Sequence, residues 1–417
     1  MTTTLAHDAL EQRYAAARRQ ALELDMTRGK PCAEQLDLSL PLLDCLGAND
    51  YRALDGTDCR NYGGVDGLPE ARRFFADILG TAPDEVIVGD NASLSLMYDV
   101  VSEAMRRGVP GGARPWTREP AVRVVCPAPC YDRHFALCEF LGAVTVPVTL
   151  GAGGPDLEEV SRLAADDPAV KAIFCVPRYS NPTGITYSAD AVRALARMKT
   201  AAPDFRIVWD NAYAVHHLYP DPEPLANMLE ECRAAGHPDR PLLFTSTSKI
   251  TFAGAGISAI AGSDANMAWF RQARIKRTIG PDKLAQLRHV RFLPDRAALD
   301  AHMRRHASIL RPKFEAVAEI LERELGGLGV ASWSRPRGGY FISLDVRDGG
   351  AAKVVAHAQE AGVKLTAAGA TFPRGEDPRD RNIRIAPSMP SVEDIRQAME
   401  LVAVCVQRVS IAKLLHR

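Results

Sequence analysis

The sequence has no excess of charge of either sign, because its 51 lysine and arginine residues match its 51 aspartate and glutamate residues. It therefore lacks the basic field that holds nucleic acid or an anionic membrane surface. It also lacks any apolar run that approaches the length of a membrane span. Residues 1–5 lack the basic and apolar regions of a signal peptide, so we expect a cytoplasmic protein that has no membrane or nucleic-acid partner.

The cysteines form no pattern that is typical of a metal site or a disulfide framework. There are nine, an odd number, and the closest spacing is that of Cys126 and Cys130 in Cys-Pro-Ala-Pro-Cys. The two prolines and the lack of a second ligand pair argue against zinc, and favour two small apolar residues around a strand end. We therefore expect no metal. A G-x-G-x-x-G segment between a strand and a helix is also missing, which argues against a Rossmann dinucleotide site.

Short apolar runs alternate with helical patterns through most of the chain, which predicts a mostly parallel sheet covered by helices on both faces. The predicted strands lie at 85–88, 122–126, 144–148, 172–176, 206–209 and 242–245. The predicted helices lie at 7–24, 67–79, 93–106, 133–141, 157–165, 189–200 and 223–235.

The pattern changes after residue 295. A long helix at 300–325 is followed by a strand at 340–345, a helix at 350–361, a strand at 383–386 and a closing helix at 392–414. The sequence thus predicts a large α/β domain at 46–295 and a smaller α+β domain that consists of 1–45 and 296–417.

Several polar residues follow predicted strands, where open α/β sheets bind their ligands. The stretch 89–93, Gly-Asp-Asn-Ala-Ser, opens a helix and is either a phosphate cradle or a plain helix cap. Asp210 ends a strand. Its carboxylate could pair with a pyridine nitrogen and keep that ring able to accept electrons, or it could cap a helix.

Tyr213 and Asn181 could both reach the phenolic oxygen of such a ring, although Asn-Pro is also a common turn. Lys249 has small or apolar neighbours on both sides, unlike a typical solvated surface lysine. Desolvation lowers the pKa of an amine, so Lys249 could form a Schiff base and then move a proton. Arg384, on a short apolar strand, could grip a carboxylate in a bidentate manner or make a structural ion pair.

Taken in order, four motifs resemble those of the fold-type I pyridoxal-phosphate enzymes, in particular the class I/II aminotransferases. They are Asn-Pro-Thr-Gly at 181–184, Asp-x-x-Tyr at 210–213, Ser-x-Ser-Lys at 246–249 and Asn-x-Arg at 382–384. The resemblance covers nearly the whole chain and is closest to the MocR-type aspartate aminotransferase group. The stretches that carry this closer likeness are 27–31, 61–68, 126–135, 279–283 and 286–292.

The resemblance implies a catalytic set of Lys249, Asp210 and Tyr213, with pyridoxal 5′-phosphate held as a Schiff base on Lys249. It implies that the cofactor is bound by Asn91, Ala92, Ser93, Tyr131, Asn181, Asp210, Tyr213, Ser246, Ser248 and Lys249. Tyr62 is similar to a tyrosine that reaches the phosphate in the neighbouring subunit, which implies a homodimer with shared sites. The implied substrate-binding residues are Arg384 for the α-carboxylate, Gly29 in a segment that closes over substrate, and Asn181.

One position departs from the family pattern. Many class I relatives have a phosphate-binding arginine eight or nine residues after the lysine, where this chain has Ile257 and Ser258. Arg288, Lys283, hydroxyls or backbone groups could neutralise the phosphate instead. A cation for the distal carboxylate of a dicarboxylic substrate could come from Lys276, Arg277, Lys283, Arg288, His289 or Arg291, unless these residues form a solvated helix face.

We therefore expect an aminotransferase that moves an amino group between an amino acid and a 2-oxo acid by a ping-pong mechanism, with aspartate or glutamate preferred on resemblance alone. A lyase or decarboxylase on the same scaffold stays open. A non-catalytic effector-binding domain, like that of MocR regulators, is a further alternative. The residues before Tyr62 are too few for the DNA-binding domain and linker that such regulators carry.

Overall fold

The computed structural model describes residues 2–20 and 22–415. The strands are β1 Leu24–Asp25, β2 Val86–Val88, β3 Arg123–Ala128, β4 Val144–Gly151, β5 Gly154–Pro155, β6 Val170–Cys175, β7 Arg206–Asp210, β8 Pro241–Ser246, β9 Ser258–Gly262, β10 Ala331–Trp333, β11 Ile342–Val346, β12 Val363–Lys364 and β13 Asn382–Ile385. The α-helices are α1 Thr2–Arg19, α2 Ala33–Asp37, α3 Pro41–Asp44, α4 Pro69–Leu79, α5 Ser93–Arg107, α6 Asp132–Phe140, α7 Leu157–Asp166, α8 Ala189–Arg197, α9 Met228–Ala234, α10 Asp264–Arg277, α11 Lys283–Phe292, α12 Arg296–Leu325, α13 Ala351–Glu360 and α14 Val392–Leu415.

The main sheet has the strand order β2-β9-β8-β7-β6-β3-β4-β5. The central strands from β8 across to β4 pair in parallel, whereas β9 runs antiparallel to both β8 and β2. The predicted mostly parallel sheet is therefore confirmed. Because the parallel strands share one direction, their carboxyl ends lie along a single edge of the sheet.

Helices bury both faces of this sheet. Val208 and Phe244 belong to one apolar cluster, while Ile207 and Leu243, their neighbours in the chain, belong to another. Successive strand residues point to opposite faces, so a strand that is covered on both sides needs apolar residues throughout. This explains why the central strands read as continuous apolar runs.

A second, antiparallel sheet has the order β10-β11-β13. The short strand β1 pairs in parallel with β12, which ties the N-terminal segment to the C-terminal third of the chain. Helix α1 also packs on α14. The division into domains at 46–295 and at 1–45 with 296–417 stays a prediction, and residues 1, 21, 416 and 417 within it lie outside the described residues.

Some predicted elements were wrong in extent or were missed. Helix α1 ends at Arg19, short of the predicted 24, because Leu24 pairs with Val363 in a distant strand. Helix α9 begins at Met228 rather than at 223, because the Asn227 side chain caps its first turn. Strand β9, with its small residues Ser-Ala-Ile-Ala-Gly, lacks the bulky alternation that marks a strand. In the residues that the structure describes, no helix combines the length and apolar character needed to cross a membrane.

Candidate active site

Three of the residues predicted to bind ligand meet at the carboxyl edge of the main sheet. Asp210 is the last residue of β7, Lys249 follows β8, and Asn181 lies in the loop after β6. Strand β7 lies between β6 and β8, so the three chain segments are adjacent. Asp210 and Asn181 are buried, with 3% and 2% of their surface exposed. The order of the strands therefore forms the centre of the site.

The amine of Lys249 lies beside the aromatic ring of Tyr213. The Nζ atom lies 5.1 Å from the centroid of the Tyr213 ring. Burial lowers the pKa of Lys249, and the nearby charge of Asp210 opposes that shift only in part. A lowered pKa increases the fraction of neutral amine at a given pH, and only the neutral amine can act as a base or a nucleophile.

Asp210 is held by a residue that the sequence analysis did not single out, His134 of α6. The His134 Nε2 atom lies 2.9 Å from Asp210 Oδ2, and both side chains are buried. Burial alone would lower the pKa of His134, but the hydrogen bond and charge of Asp210, together with those of Cys130, outweigh burial and raise the pKa to about 9. The second carboxylate oxygen, Oδ1, is buried and has no hydrogen-bond partner among the described residues.

Aromatic side chains surround this centre. Tyr131 precedes α6 and its ring lies 5.1 Å from that of His134, edge-on. Tyr213 stacks on Tyr340 at 6.1 Å, and His216 lies edge-on to both of these rings. Burial raises the pKa of Tyr131 to about 12 and that of Tyr213 well above its ordinary value. Both hydroxyls therefore stay protonated near neutral pH and can donate hydrogen bonds.

The predicted phosphate cradle is assembled from two loops. Helix α5 begins at Ser93, and Ala92 at its N-cap offers no side chain to satisfy the first N–H groups. Ser248 Oγ donates to the backbone carbonyl of Asn91 at 3.3 Å and lies 3.1 Å from Ser246 Oγ. The turn 91–93 and the two serines thus lie together, as the sequence predicts, with free N–H groups at a helix N-terminus.

The cations beside this cradle come from α10, a helix that the sequence analysis missed. Arg277 Nη1 lies 3.1 Å from Asp90 Oδ2, and Arg274 Nη1 lies 3.5 Å from the same oxygen. Arg274 is only 1% exposed, and its Nε and Nη1 have no hydrogen-bond partner among the described residues. Lys283, one predicted alternative, instead donates to the backbone carbonyls of Asn61 and Gly63.

Arg384 makes a structural ion pair, one of the two alternatives that the sequence left open. Its Nη1 lies 3.0 Å from Asp132 Oδ1, an ion pair, and 3.4 Å from Asn181 Oδ1. Its guanidinium lies over the Phe341 ring at 5.0 Å from the centroid. A Cβ atom added to Gly29 would lie 2.3 Å from Cζ of the same ring. Gly29 and Arg384 therefore share one aromatic platform beside Asn181.

Tyr62 stays apart from this group and is 81% exposed. Other exposed large apolar side chains include Leu43 and Leu54, which precede Tyr62 in the chain. They also include Ile275 and Ile279, which lie near the end of α10 and just after it. Within the part of the chain that the structure describes, no group of three or more His, Cys, Asp and Glu side chains is arranged to hold a metal ion.

Comparison with known proteins assigns this geometry to a family. The model of the aspartate aminotransferase family matches residues 2–417. An aspartate aminotransferase of Corynebacterium glutamicum is 46% identical over 402 residues, which cover 96% of this chain and 93% of the relative. This chain belongs to the aspartate aminotransferase family. It is a pyridoxal-phosphate-dependent enzyme that transfers amino groups.

Solved structures of aminotransferases share the whole fold. A crystal structure of an aspartate transaminase from Corynebacterium glutamicum superposes with a TM-score of 0.97 at 44% identity, over 99% of this chain and 97% of that one. An α-aminoadipate aminotransferase from Thermus thermophilus, in complex with N-(5′-phosphopyridoxyl)-L-leucine, superposes with a TM-score of 0.75 at 20% identity. It covers 94% of this chain and 95% of that one, and shows likeness of fold alone.

The site of this aminotransferase fits its cofactor. A pyridinium N–H needs a buried acceptor, and Asp210 Oδ1 is one that the protein leaves unpartnered. A phosphate needs N–H groups and hydroxyls, which the turn 91–93 and the serines at 246 and 248 supply.

We expect the His134–Asp210 pair to show in the pH dependence of stability. A pKa raised to about 9 in the folded protein contributes stability that is complete below the unfolded value of about 6.5 and is lost as the pH rises through 9. His134→Asn keeps a neutral donor but does not titrate. Urea unfolding of both cofactor-free proteins should show that the free energy of unfolding of wild type, relative to that of the variant, falls by roughly 1–3 kcal/mol from pH 6 to pH 9.5. A constant difference across that range would contradict the assigned pair.

Proposed function

We propose that this aminotransferase takes aspartate or glutamate as amino donor and a 2-oxo acid as acceptor, with Lys249, Asp210 and Tyr213 as its catalytic centre. The observation that supports this most is the meeting of a desolvated amine and an unpartnered carboxylate oxygen at the ends of β8 and β7. Aspartate is favoured because the Corynebacterium glutamicum relative, at 46% identity, is an aspartate aminotransferase.

Pyridoxal phosphate, when bound, supplies an aldehyde that carries the amino group and a ring that takes up electrons from the substrate's α-carbon. Asp210 Oδ1 would accept the pyridinium N–H, with His134 holding the carboxylate in place. Asn181 and the protonated hydroxyl of Tyr213 would donate to the phenolic oxygen. Tyr131 would lie against the ring, and the cradle of Asn91, Ala92, Ser93, Ser246 and Ser248 would hold the phosphate.

Lys249 would move the proton. Burial lowers the pKa of its amine, which increases the fraction that is neutral and able to accept a proton. The amine would remove the proton from the substrate's α-carbon and return it to the neighbouring cofactor carbon. One amine placed between two carbons can serve both steps, first as a base and then as an acid.

The substrate's α-carboxylate would bind to Arg384. The ion pair with Asp132 and the contact with Phe341 already fix the guanidinium plane, so little side-chain entropy is lost on binding. Asp132 is 35% exposed and can turn to solvent when the substrate carboxylate arrives. Gly29, on the same ring, would cover the substrate from the N-terminal segment.

The phosphate charge would be balanced from α10. Arg274 is buried and lies against Gly89, where an added Cβ atom would meet its Nη2 at 2.1 Å. Among the basic residues considered for a distal carboxylate, Lys283 and His289 are already hydrogen-bonded inside the protein. Arg277 and Arg291 are paired with Asp90 and Asp50, which leaves Lys276 and Arg288 as the candidates for the distal carboxylate.

We propose a cytoplasmic homodimer in which Tyr62 reaches the phosphate of the neighbouring subunit. The exposed apolar side chains near Tyr62 and on α10 would be covered by that subunit. All nine cysteines are free, and most are buried, which suits a reducing compartment.

Lys249→Ala should bind the cofactor but lose turnover by roughly four orders of magnitude or more, because no other amine is placed to move the proton. Absorbance of the bound cofactor and the aspartate–2-oxoglutarate rate report the two properties separately. Retained transaminase activity would show that Lys249 is not the catalytic lysine.

The wild-type half-reaction also separates transamination from the lyase and decarboxylase alternatives. Aspartate alone should convert the bound cofactor to its stable amine form and release oxaloacetate in equal amount. Release of carbon dioxide or of pyruvate by the enzyme itself would support the alternatives instead.

Arg384→Gln should raise the KM for aspartate about 30- to 100-fold, since a charge-assisted bidentate pair contributes roughly 2–3 kcal/mol. Asp132→Asn is the matched control, because it removes the internal partner and leaves the arginine. Steady-state kinetics should show a KM for this control that is unchanged or lower. An equal rise of KM in both variants would mean that the Arg384–Asp132 pair is structural.

Tyr62→Ala should weaken cofactor binding about tenfold through loss of one hydrogen bond to the phosphate. At limiting cofactor, mixing it with the inactive Lys249→Ala protein should restore activity, because each mixed dimer has one site in which both residues are intact and the cofactor affinity is that of wild type. Absence of restored activity after subunit exchange, verified by native mass spectrometry, would count against shared sites.

A further inference from the structure

The lysine turn, residues 247–251, is held mainly by side chains from other parts of the chain. Its backbone is tied at Thr247 to the residue before β9, since the Thr247 N–H donates to the Ile257 carbonyl at 2.8 Å, and from Ser248 to Thr251 it closes only local bonds, such as Ile250 N to Thr247 O at 2.9 Å. The carbonyls of Lys249 and Ile250 and the hydroxyls of Thr247 and Thr251 bond to side chains of α11, α12 and residue 340. The placement of the Lys249 backbone therefore depends on these remote groups.

His289 holds the two threonines of the turn. Its Nδ1 faces the Ala285 carbonyl at 2.7 Å, and a carbonyl only accepts, so Nδ1 carries the proton. Nε2 then accepts from the hydroxyls of Thr247 at 3.0 Å and Thr251 at 2.9 Å. Burial lowers the pKa of His289 to about 4, so the imidazole is neutral near pH 7 and keeps this arrangement.

Gln35 of α2 has a fixed amide orientation. Its Oε1 accepts from the backbone N–H of Cys32 at 3.2 Å, so its Nε2 points the other way. The two N–H groups of Nε2 donate to the Tyr340 hydroxyl and to His306 Nδ1, each at 2.9 Å. Gln35 is completely buried, and both of its amide hydrogens are used.

Both of these bonds lead to the lysine turn. The Tyr340 hydroxyl donates to the Lys249 carbonyl at 3.4 Å. Because His306 accepts at Nδ1, its own proton is on Nε2, which lies 3.1 Å from His302 Nε2. His302 Nε2 lies 2.7 Å from the Ile250 carbonyl and donates to it, so its proton is on Nε2 as well. The two imidazoles therefore meet by ring packing, at 4.7 Å between centroids, and His306 acts on the Ile250 carbonyl through the position of His302.

Gln35 also belongs to the segment that contacts the carboxylate-binding side of the site. Gly29, six residues earlier, lies against Phe341, which supports Arg384. Tyr340 and Phe341 are adjacent in the chain. At one end of residues 29–35, Gly29 contacts Phe341, which lies against Arg384. At the other end, Gln35 contacts Tyr340 and His306, which lie beside the lysine turn.

We propose that Gln35 is a positioning residue for Lys249. Through Tyr340 and the His302–His306 pair it fixes the carbonyls of the lysine turn, and so the direction from which the Lys249 amine reaches the reacting carbon. Gln35 also couples the direction of the Lys249 amine to the position of residues 29–35. The inference rests on the role of Lys249 proposed above, and on the hydrogen bonds that end at Gln35.

Gln35→Met tests the coupling in the cofactor-free protein, since methionine has a similar length and no amide. Hydrogen exchange should become about 5- to 10-fold faster at amides 247–251 as well as at 32–36, the effect expected from losing hydrogen bonds of ordinary strength. Gln407→Met is the matched control. Gln407 donates to the Glu324 carbonyl at 2.8 Å, so exchange should change only near 324 and 407. Faster exchange at 32–36 with wild-type exchange at 247–251 would overturn the inference.

A double-mutant cycle with Tyr340→Phe tests the path. Because both changes cut the same route to the Lys249 carbonyl, their effects on exchange at 247–251 should be less than additive.

In the cofactor-loaded enzyme, Gln35→Met should shift the pH midpoint of the cofactor absorbance and lower kcat about tenfold, with a smaller change in KM. Additive effects, or an unmoved midpoint with wild-type kcat, would refute a positioning role. If Gln35→Met does not fold, Gln35→Asn replaces it, because the shorter amide cannot reach both partners.

These measurements separate the two proposals. Exchange in the cofactor-free protein does not depend on any reaction. A coupled change of exchange together with an active Lys249→Ala enzyme would leave the link between Gln35 and the turn intact and refute the catalytic assignment of Lys249.

Discussion

The hydrogen bond between His134 and Asp210 is the interaction on which the arrangement of this site depends. A carboxylate buried at the end of a central strand needs a charged partner, and His134 supplies it through one oxygen only. The same first turn of α6 carries Asp132, which pairs with Arg384 on the second sheet. It also follows Tyr131, whose ring lies beside His134. This one helical turn thus fixes Asp210, Tyr131 and Arg384 relative to each other.

Two groups that interact with Asp210 have pKa shifts of opposite sign. His134 is completely buried and Lys249 is partly buried, and the pKa of His134 is raised to about 9 whereas that of Lys249 is lowered. The two shifts differ because His134 makes a direct hydrogen bond to Asp210, whereas the Asp210 carboxylate acts on Lys249 only through its charge, at a distance. The same carboxylate therefore favours the protonated imidazole of His134, while Lys249 loses its proton more readily than a free lysine does.

The sequence was sufficient to predict the sheet and the residues at its carboxyl edge, because strand ends are visible as the limits of apolar runs. Asp210, Asn181 and Lys249 belong to this class. His134, Tyr340 and Gln35 do not, since each reaches the site from an element whose position depends on long-range packing. The end of α1 was missed for the same reason, because its strand partner is distant in the chain, whereas β9 was missed because its small residues lack the pattern of a strand.

The contact between Gly29 and Phe341 has a consequence for how this sequence can change over time. A Cβ atom at position 29 would overlap the ring at 2.3 Å, so any larger residue there displaces the support of Arg384. A smaller residue at 341 would admit the side chain but would remove the surface on which the guanidinium rests. Positions 29 and 341 are therefore sterically linked, so a substitution at either one alone disturbs the contacts of the other. Variants that alter substrate preference by substitution at one of them would have to acquire the second change in the same lineage.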